Sequence, residues 1–318
     1  MEPLLNIEQL QVEFLLDQAR VRAVDGVNLN LQKGEILGLV GESGCGKSVT
    51  ALSVMGLLAP NACVEGSISF SGENLLKKSE KAMQRIRGNR ISMIFQEPMT
   101  SLNPVFSIQE QLEEVIELHQ GGSKEEITEK TIHMLAMVGI PEPERRMKEY
   151  PHQMSGGMQQ RVMISMALAC NPDVLIADEP TTALDVTIQA QILSLIRDLQ
   201  EKLETGVLMI THDLGVVAQV AHHVTVMYAG QVVESAGVKN LFNNPQHPYT
   251  RSLLRTIPQV HGRRERLVEI KGMVPDLLQL PKGCRFYPRC DEGMEVCREK
   301  PPVMKKTDNG EVRCWLYH

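Results

Sequence analysis

No stretch of this sequence offers the roughly 20 consecutive apolar residues that a bilayer-spanning helix needs. The nearest candidate, the uncharged run from Ser48 to Val64, holds Ser, Thr, Asn and Pro. It predicts a buried helix and its exit loop. A basic leader is missing as well: residues 1–10 carry two glutamates and no lysine or arginine, unlike a secretory signal. These absences predict a soluble chain whose membrane role, if it has one, runs through partners. Net positive charge is lacking too. A formal charge of −6 and a pI near 5.9 argue against a general nucleic-acid binder. There is no internal repeat and no low-complexity tract. Without a secretion signal, the seven cysteines predict no disulfide framework.

What is present is an ordinary globular composition, 42% hydrophobic and 23% charged over 318 residues, enough for a large core plus an appendage. Residues 4–14 and 21–32 alternate apolar and polar positions and predict antiparallel strands. Residues 36–40, 174–177 and 207–211 are short apolar runs, which predict buried strands. Helices are predicted from Lys47, over 107–118 and over 188–203, where apolar residues recur at helical spacing. Alternating strands and helices mean an α/β sheet. Helical material over about 99–170 interrupts the alternation as an inserted subdomain. Beyond about residue 240 prolines and cysteines crowd the chain. The predicted domains are therefore 1–240 and 241–318.

Gly41-Glu42-Ser43-Gly44-Cys45-Gly46-Lys47-Ser48 fits G-x-x-x-x-G-K-[ST] between a predicted strand and a predicted helix, the context that this phosphate-binding motif requires. Glycines let backbone N–H groups converge on phosphate oxygens, and the helix N-terminus adds positive potential. Lys47 is expected to reach the β- and γ-phosphates and the Ser48 hydroxyl to ligate Mg²⁺, with Val49 completing the nucleotide contact. The apolar run Val174–Ala177 ends in Asp178 and Glu179. Paired with the loop, Asp178 is expected to hold Mg²⁺ and Glu179 to act as general base toward the attacking water. His212, at the end of another strand, is a candidate γ-phosphate sensor. Gln96, after Ile91–Phe95, is a candidate to reach the metal or the water.

Four cysteines cluster late, as Cys284-x5-Cys290-x6-Cys297-x16-Cys314. Four thiolates suit Zn²⁺ or a [4Fe–4S] cluster. Zinc sites favour close C-x2–4-C pairs, and none occurs here. The irregular gaps suit a cluster wrapped by a loop. Unliganded thiols are the third possibility.

Together with Ser155-Gly156-Gly157-Met158-Gln159-Gln160-Arg161, these pieces resemble the nucleotide-binding subunit of ABC transporters over residues 4–240. The resemblance implies a P-loop NTPase fold of that type, with antiparallel N-terminal strands, a helical subdomain and a small cysteine-containing extension. It implies that Phe14 stacks on adenine, that Gln96 senses a transmembrane partner, and that His212 is the switch histidine. It also implies that Ser155, Gly156 and Gly157 meet the ATP of an opposite subunit. Ala183-Leu184-Asp185 would cross that interface. Met154 and Met158 depart from the family's Leu-Ser-Gly-Gly-Gln, and the second replaces an amide donor. Asn244-Pro245-Gln246-His247-Pro248-Tyr249-Thr250, the segment Phe95–Pro104 and the late cysteines resemble the dipeptide and oligopeptide importer branch. That branch implies a [4Fe–4S] cluster in the extension, a second and different ATPase chain, two membrane permeases and an external peptide-binding protein. It places the chain peripherally on the cytoplasmic face of the inner membrane, with no nucleic-acid partner. The alternative expectation is a soluble ABC-type ATPase acting on nucleic acid or ribosomes, with a zinc-binding tail.

Overall fold

A computed structural model describes residues 2–16, 19–96, 102–182, 184–257 and 270–318. In chain order its strands are β1 (Leu5–Leu16), β2 (Ala19–Leu31), β3 (Ile36–Val40), β4 (Ala62–Phe70), β5 (Glu73–Asn74) and β6 (Ile91–Ile94). There follow β7 (Val174–Asp178), β8 (Gly206–Thr211), β9 (His223–Tyr228), β10 (Gln231–Gly237), β11 (Lys305–Thr307) and β12 (Gly310–Val312). The chain divides into two units. One comprises residues 1–4, 31–35 and 77–209, the other 5–30, 36–76 and 210–318.

The second unit holds a four-stranded sheet in the order β2-β1-β4-β5, with β1 antiparallel to β4 and β4 antiparallel to β5. Alternating residues of β1, namely Leu5, Ile7, Leu10 and Val12, are buried, and a bulge between Glu8 and Gln11 preserves that alternation. The same unit carries a mixed array. Here β3 runs parallel to β9, β9 is antiparallel to β10, and β10 and β11 are antiparallel to β12. All five residues of β3 are buried, as befits a strand covered on both faces.

The tail is fixed to this array by a buried carboxylate. Glu234 on β10, 1% exposed, accepts the backbone N–H groups of Gln246 (2.7 Å) and His247 (2.8 Å). The helix Pro248–Arg255 then starts on a proline, whose missing N–H costs nothing in the first turn. Tyr228, Tyr249 and Phe286 form an aromatic knot with ring centroids 4.6, 5.2 and 5.3 Å apart.

In the first unit β6 and β7 are parallel. Its helices begin where the sequence supplies capping boxes. Ser107 with Glu110 opens Ile108–Gln120, and Ser123 with Glu126 opens Lys124–Met137. Their inward faces bury Ile108, Leu112, Ile116, Ile127 and Leu135. Ile116 and Ile127 pack with Ala169 at the end of the helix Gly156–Leu168. Among the described residues no helix is long and apolar enough to cross a membrane.

Candidate functional site

The phosphate loop runs from the end of β3 into the helix Lys47–Met55. Gly46 sits at φ 102, and a Cβ there would lie 2.6 Å from the Ala23 carbonyl oxygen. Both the conformation and the close approach therefore require glycine. Lys47, only 5% exposed, folds back over the loop. Its Nζ donates to the carbonyls of Gly41 (2.7 Å) and Glu42 (3.1 Å) and lies 3.7 Å from Cys45 Sγ. Two main-chain carbonyls thus aim the ammonium across the turn. Thr50 closes the first helical turn by donating Oγ1 to the Gly46 carbonyl at 2.9 Å. Ser43 and Gly44 are exposed, and Ser48 and Val49 are half-buried. Burial pushes the Cys45 thiol up, against the pull of Lys47, so Cys45 is a neutral filler of the loop. Phe14, half-buried near the end of β1, pairs across to Ala62 on β4.

In the first unit, β7 delivers Asp178, 4% exposed, and then Glu179 at φ 48. A left-handed glutamate is uncommon and marks a position held by its surroundings. Its Oε2 accepts from Gln96 Nε2 (3.1 Å) and Thr182 Oγ1 (2.8 Å). Sequence reasoning placed Gln96 near the chemistry but missed Thr182, one of two adjacent threonines with no distinguishing pattern. Ser155 caps the helix Gly156–Leu168 by accepting the Met158 N–H at 3.4 Å. Among the described residues nothing lies within 4 Å of where a Cβ on Gly156 would go, whereas one on Gly157 would meet Ile188 Cγ2 at 3.0 Å. The first glycine therefore leaves the helix N-terminus open. The second lets the helix Val186–Leu203 come close. Gln160, buried, donates to the Pro180 carbonyl at 2.6 Å, tying this helix to the turn after Glu179.

Asp185 caps Val186–Leu203 by accepting the Ile188 N–H at 2.9 Å. Ala183, its neighbour in the predicted interface loop, and residues 97–101 lie outside the described residues. In the second unit His212 is exposed beyond β8, between Thr211, whose Oγ1 accepts the Asp213 N–H (3.0 Å), and Asp213, which caps Leu214–Val220.

Comparison with known proteins decides the family. A family model described as "ABC transporter" matches residues 24–182. One described as "Oligopeptide/dipeptide transporter, C-terminal region" matches residues 233–297. The chain is 51% identical over 320 residues to the oligopeptide transport ATP-binding protein AppD of Bacillus subtilis (strain 168), covering 100% of this chain and 98% of that one. The chain belongs to the ATP-binding proteins of ABC transporters, of the oligopeptide/dipeptide type. It is also 50% identical to the oligopeptide transport ATP-binding protein OppD of Escherichia coli (strain K12), across 99% of this chain and 93% of the relative. A dimeric ATP-binding cassette solved in a post-hydrolysis state with ADP and Pi is similar in structure. It has a TM-score of 0.66 and 29% identity, and the match covers 74% of this chain and 98% of that one. The P-loop α/β fold expected for the chain is that of these cassettes.

The iron–sulfur expectation for this ABC ATPase is overturned. Among the described residues, which include all four late cysteines, no three or more His, Cys, Asp or Glu side chains are grouped so as to hold a metal. The cysteines do structural work instead. Cys284 donates its N–H to the Cys297 carbonyl at 2.7 Å, and Cys297 and Cys314 are buried. Burial raises the thiols of Cys284, Cys290 and Cys314, the last to about 11. The zinc alternative falls with the cluster. So does the nucleic-acid reading, since the tail matches the transporter C-terminal region.

Proposed function

We propose that the chain binds MgATP and hydrolyses it to power uptake of di- and oligopeptides through a membrane importer. The observation that carries this reading is near-full-length identity of about half to relatives named for oligopeptide and dipeptide transport. In this reading each site residue has a role. Gly41, Ser43, Gly44, Cys45 and Gly46 curl the loop around the phosphates, Lys47 neutralises them, Ser48 and Val49 flank them, and Phe14 stacks on adenine. The Ser48 hydroxyl, the Asp178 carboxylate and the Gln96 amide oxygen are each hard oxygen donors, the kind of group that suits Mg²⁺. When bound, the ion neutralises charge on the phosphate oxygens.

Glu179 takes a proton from the attacking water as its oxygen bonds to the γ-phosphorus. The bond to the bridging oxygen breaks, and ADP and phosphate leave. Gln96 and Thr182 fix the carboxylate oxygen that they share, so the base meets water in one orientation. His212 contacts the γ-phosphate. Ser155, Gly156, Gly157 and Asp185 serve the interface with a second ATPase subunit, where the open helix N-terminus receives that subunit's ATP. Residues 1–240 form the nucleotide-binding domain and 241–318 the extension. The pair works beneath two permease subunits on the cytoplasmic face of the membrane, supplied by an external peptide-binding protein.

Replacing Glu179 by Gln tests the assignment of the base. ATP affinity should stay within about threefold while turnover falls by about 10²–10⁴-fold. Unchanged turnover sinks the general-base role.

A further inference from the structure

The C-terminal extension reaches the phosphate loop directly. Glu42, the first residue after the loop's opening glycine, is gripped at three points, all within the second unit. Arg289 forms a bidentate pair with its carboxylate, Nη1 to Oε2 at 2.7 Å and Nη2 to Oε1 at 3.0 Å. Tyr249 Oη accepts the Glu42 N–H at 3.0 Å. The Glu42 carbonyl accepts from Lys47 Nζ at 3.1 Å. Arg289 is itself held: its Nε donates to the Lys271 carbonyl at 2.9 Å, its guanidinium lies 5.8 Å from the Tyr228 ring centroid, and its side chain is only 4% exposed.

We propose that Arg289 and Tyr249 are positioning residues for ATP binding: through Glu42 they set the carbonyl that aims Lys47, and Arg289 cancels a carboxylate that would otherwise repel the triphosphate. The inference rests on the ATP-binding reading above. Two physical effects combine. A planar fork on a carboxylate fixes orientation as well as distance, so the Glu42 peptide cannot rotate without breaking the pair. A carboxylate inside a loop built for a polyanion is unfavourable unless a fixed positive charge compensates it. Arg289 stays charged at any pH the protein tolerates. A second anchor holds the same neighbourhood: Arg285 donates to Asp25 and to the Ala229 carbonyl, and the Gly230 N–H donates to the Cys45 carbonyl at 3.0 Å. The extension therefore braces the loop through both arginines.

The test is calorimetric titration of the full-length chain with a Mg-bound, non-hydrolysable ATP analogue, alongside thermal unfolding of each variant. Arg289→Gln leaves Glu42 uncompensated and should raise Kd about tenfold, a loss of about 1.4 kcal/mol. Glu42→Gln loses the fork but also the repelling charge and should raise Kd about threefold, less than Arg289→Gln, and the double variant should match Glu42→Gln, because the repulsion goes with the carboxylate. Tyr249→Phe keeps the ring and removes the acceptor, so it should raise Kd about threefold with an unchanged unfolding midpoint. Should Arg289→Gln not fold, Arg289→Lys, which keeps charge without the fork, should raise Kd about threefold over the unaltered chain, and a Kd within about twofold overturns the proposal. A purely structural staple would lower the unfolding midpoint and leave Kd within about twofold. That result, or a double variant no better than Arg289→Gln, overturns the proposal. An unaltered chain that fails to bind the analogue overturns the ATP-binding reading itself.

Discussion

Lowering the pH from 7.5 to 5 should cost the folded chain about 2 kcal/mol through His247 alone. This imidazole is 2% exposed, and its Nδ1 accepts the Tyr249 N–H at 3.0 Å. Burial, then the nearby charge of Arg251, pushes its pKa down from 6.5 to about 3. An added proton on Nδ1 would face the N–H that it now accepts. The unfolded imidazole protonates near 6.5, whereas the folded one resists until about pH 3. Below pH 6.5 the unfolded state therefore binds more protons, and stability falls at up to about 1.4 kcal/mol per pH unit down to about pH 3. The gap of about 1.5 units at pH 5 gives the figure of about 2 kcal/mol. Glu234, which accepts the His247 N–H, acts with the opposite sign: burial raises its pKa, so acid relieves an unfavourable buried charge. Comparison with His247→Asn cancels that contribution, since asparagine offers an acceptor oxygen and does not titrate. Trp315, the sole tryptophan, lies in the tail with its Nε1 bonded to the Lys300 carbonyl at 2.9 Å. Its fluorescence during urea unfolding at several pH values reports the relevant region. The free-energy gap between the two proteins should shrink by about 2 kcal/mol from pH 7.5 to 5. Parallel pH curves would refute the assignment of a buried neutral imidazole.

Thr182→Val keeps the shape and removes a donor to Glu179. It should lower kcat about tenfold and leave the KM for ATP within about twofold, as steady-state ATPase assays would show. Gly46→Ala would place a Cβ 2.6 Å from the Ala23 carbonyl at a φ of 102. It should abolish detectable nucleotide binding, and affinity within about threefold would contradict the strained-loop argument.

The chemistry-bearing loop, its strand and its helix were legible because they are local. The run of residues 36–40, the glycines and Lys47 lie within a dozen positions, and the structure follows with β3 and a helix beginning at Lys47. The helix expected over 107–118 starts at Ile108 because Ser107 and Glu110 spell a capping box. What escaped the sequence is long-range or depends on angle. Arg289 meets Glu42 across 247 positions, and no periodicity announces such a pair. Thr182 gains its role only because the turn after β7 folds back onto Glu179. The cysteines misled because ligand type and number were read without geometry. Among the described residues no three or more His, Cys, Asp or Glu side chains are grouped so as to hold a metal.

The central claim is that hydrolysis on this chain is harnessed to peptide movement. Its most direct test is ATPase rate in proteoliposomes containing the chain and the proposed partners, a second ATPase, two permeases and a peptide-binding protein, with and without short peptides. Peptide-loaded binding protein should accelerate hydrolysis severalfold, and Glu179→Gln in this chain should remove most of that gain together with peptide uptake. Hydrolysis indifferent to peptide, or uptake unaffected by Glu179→Gln, would contradict the account.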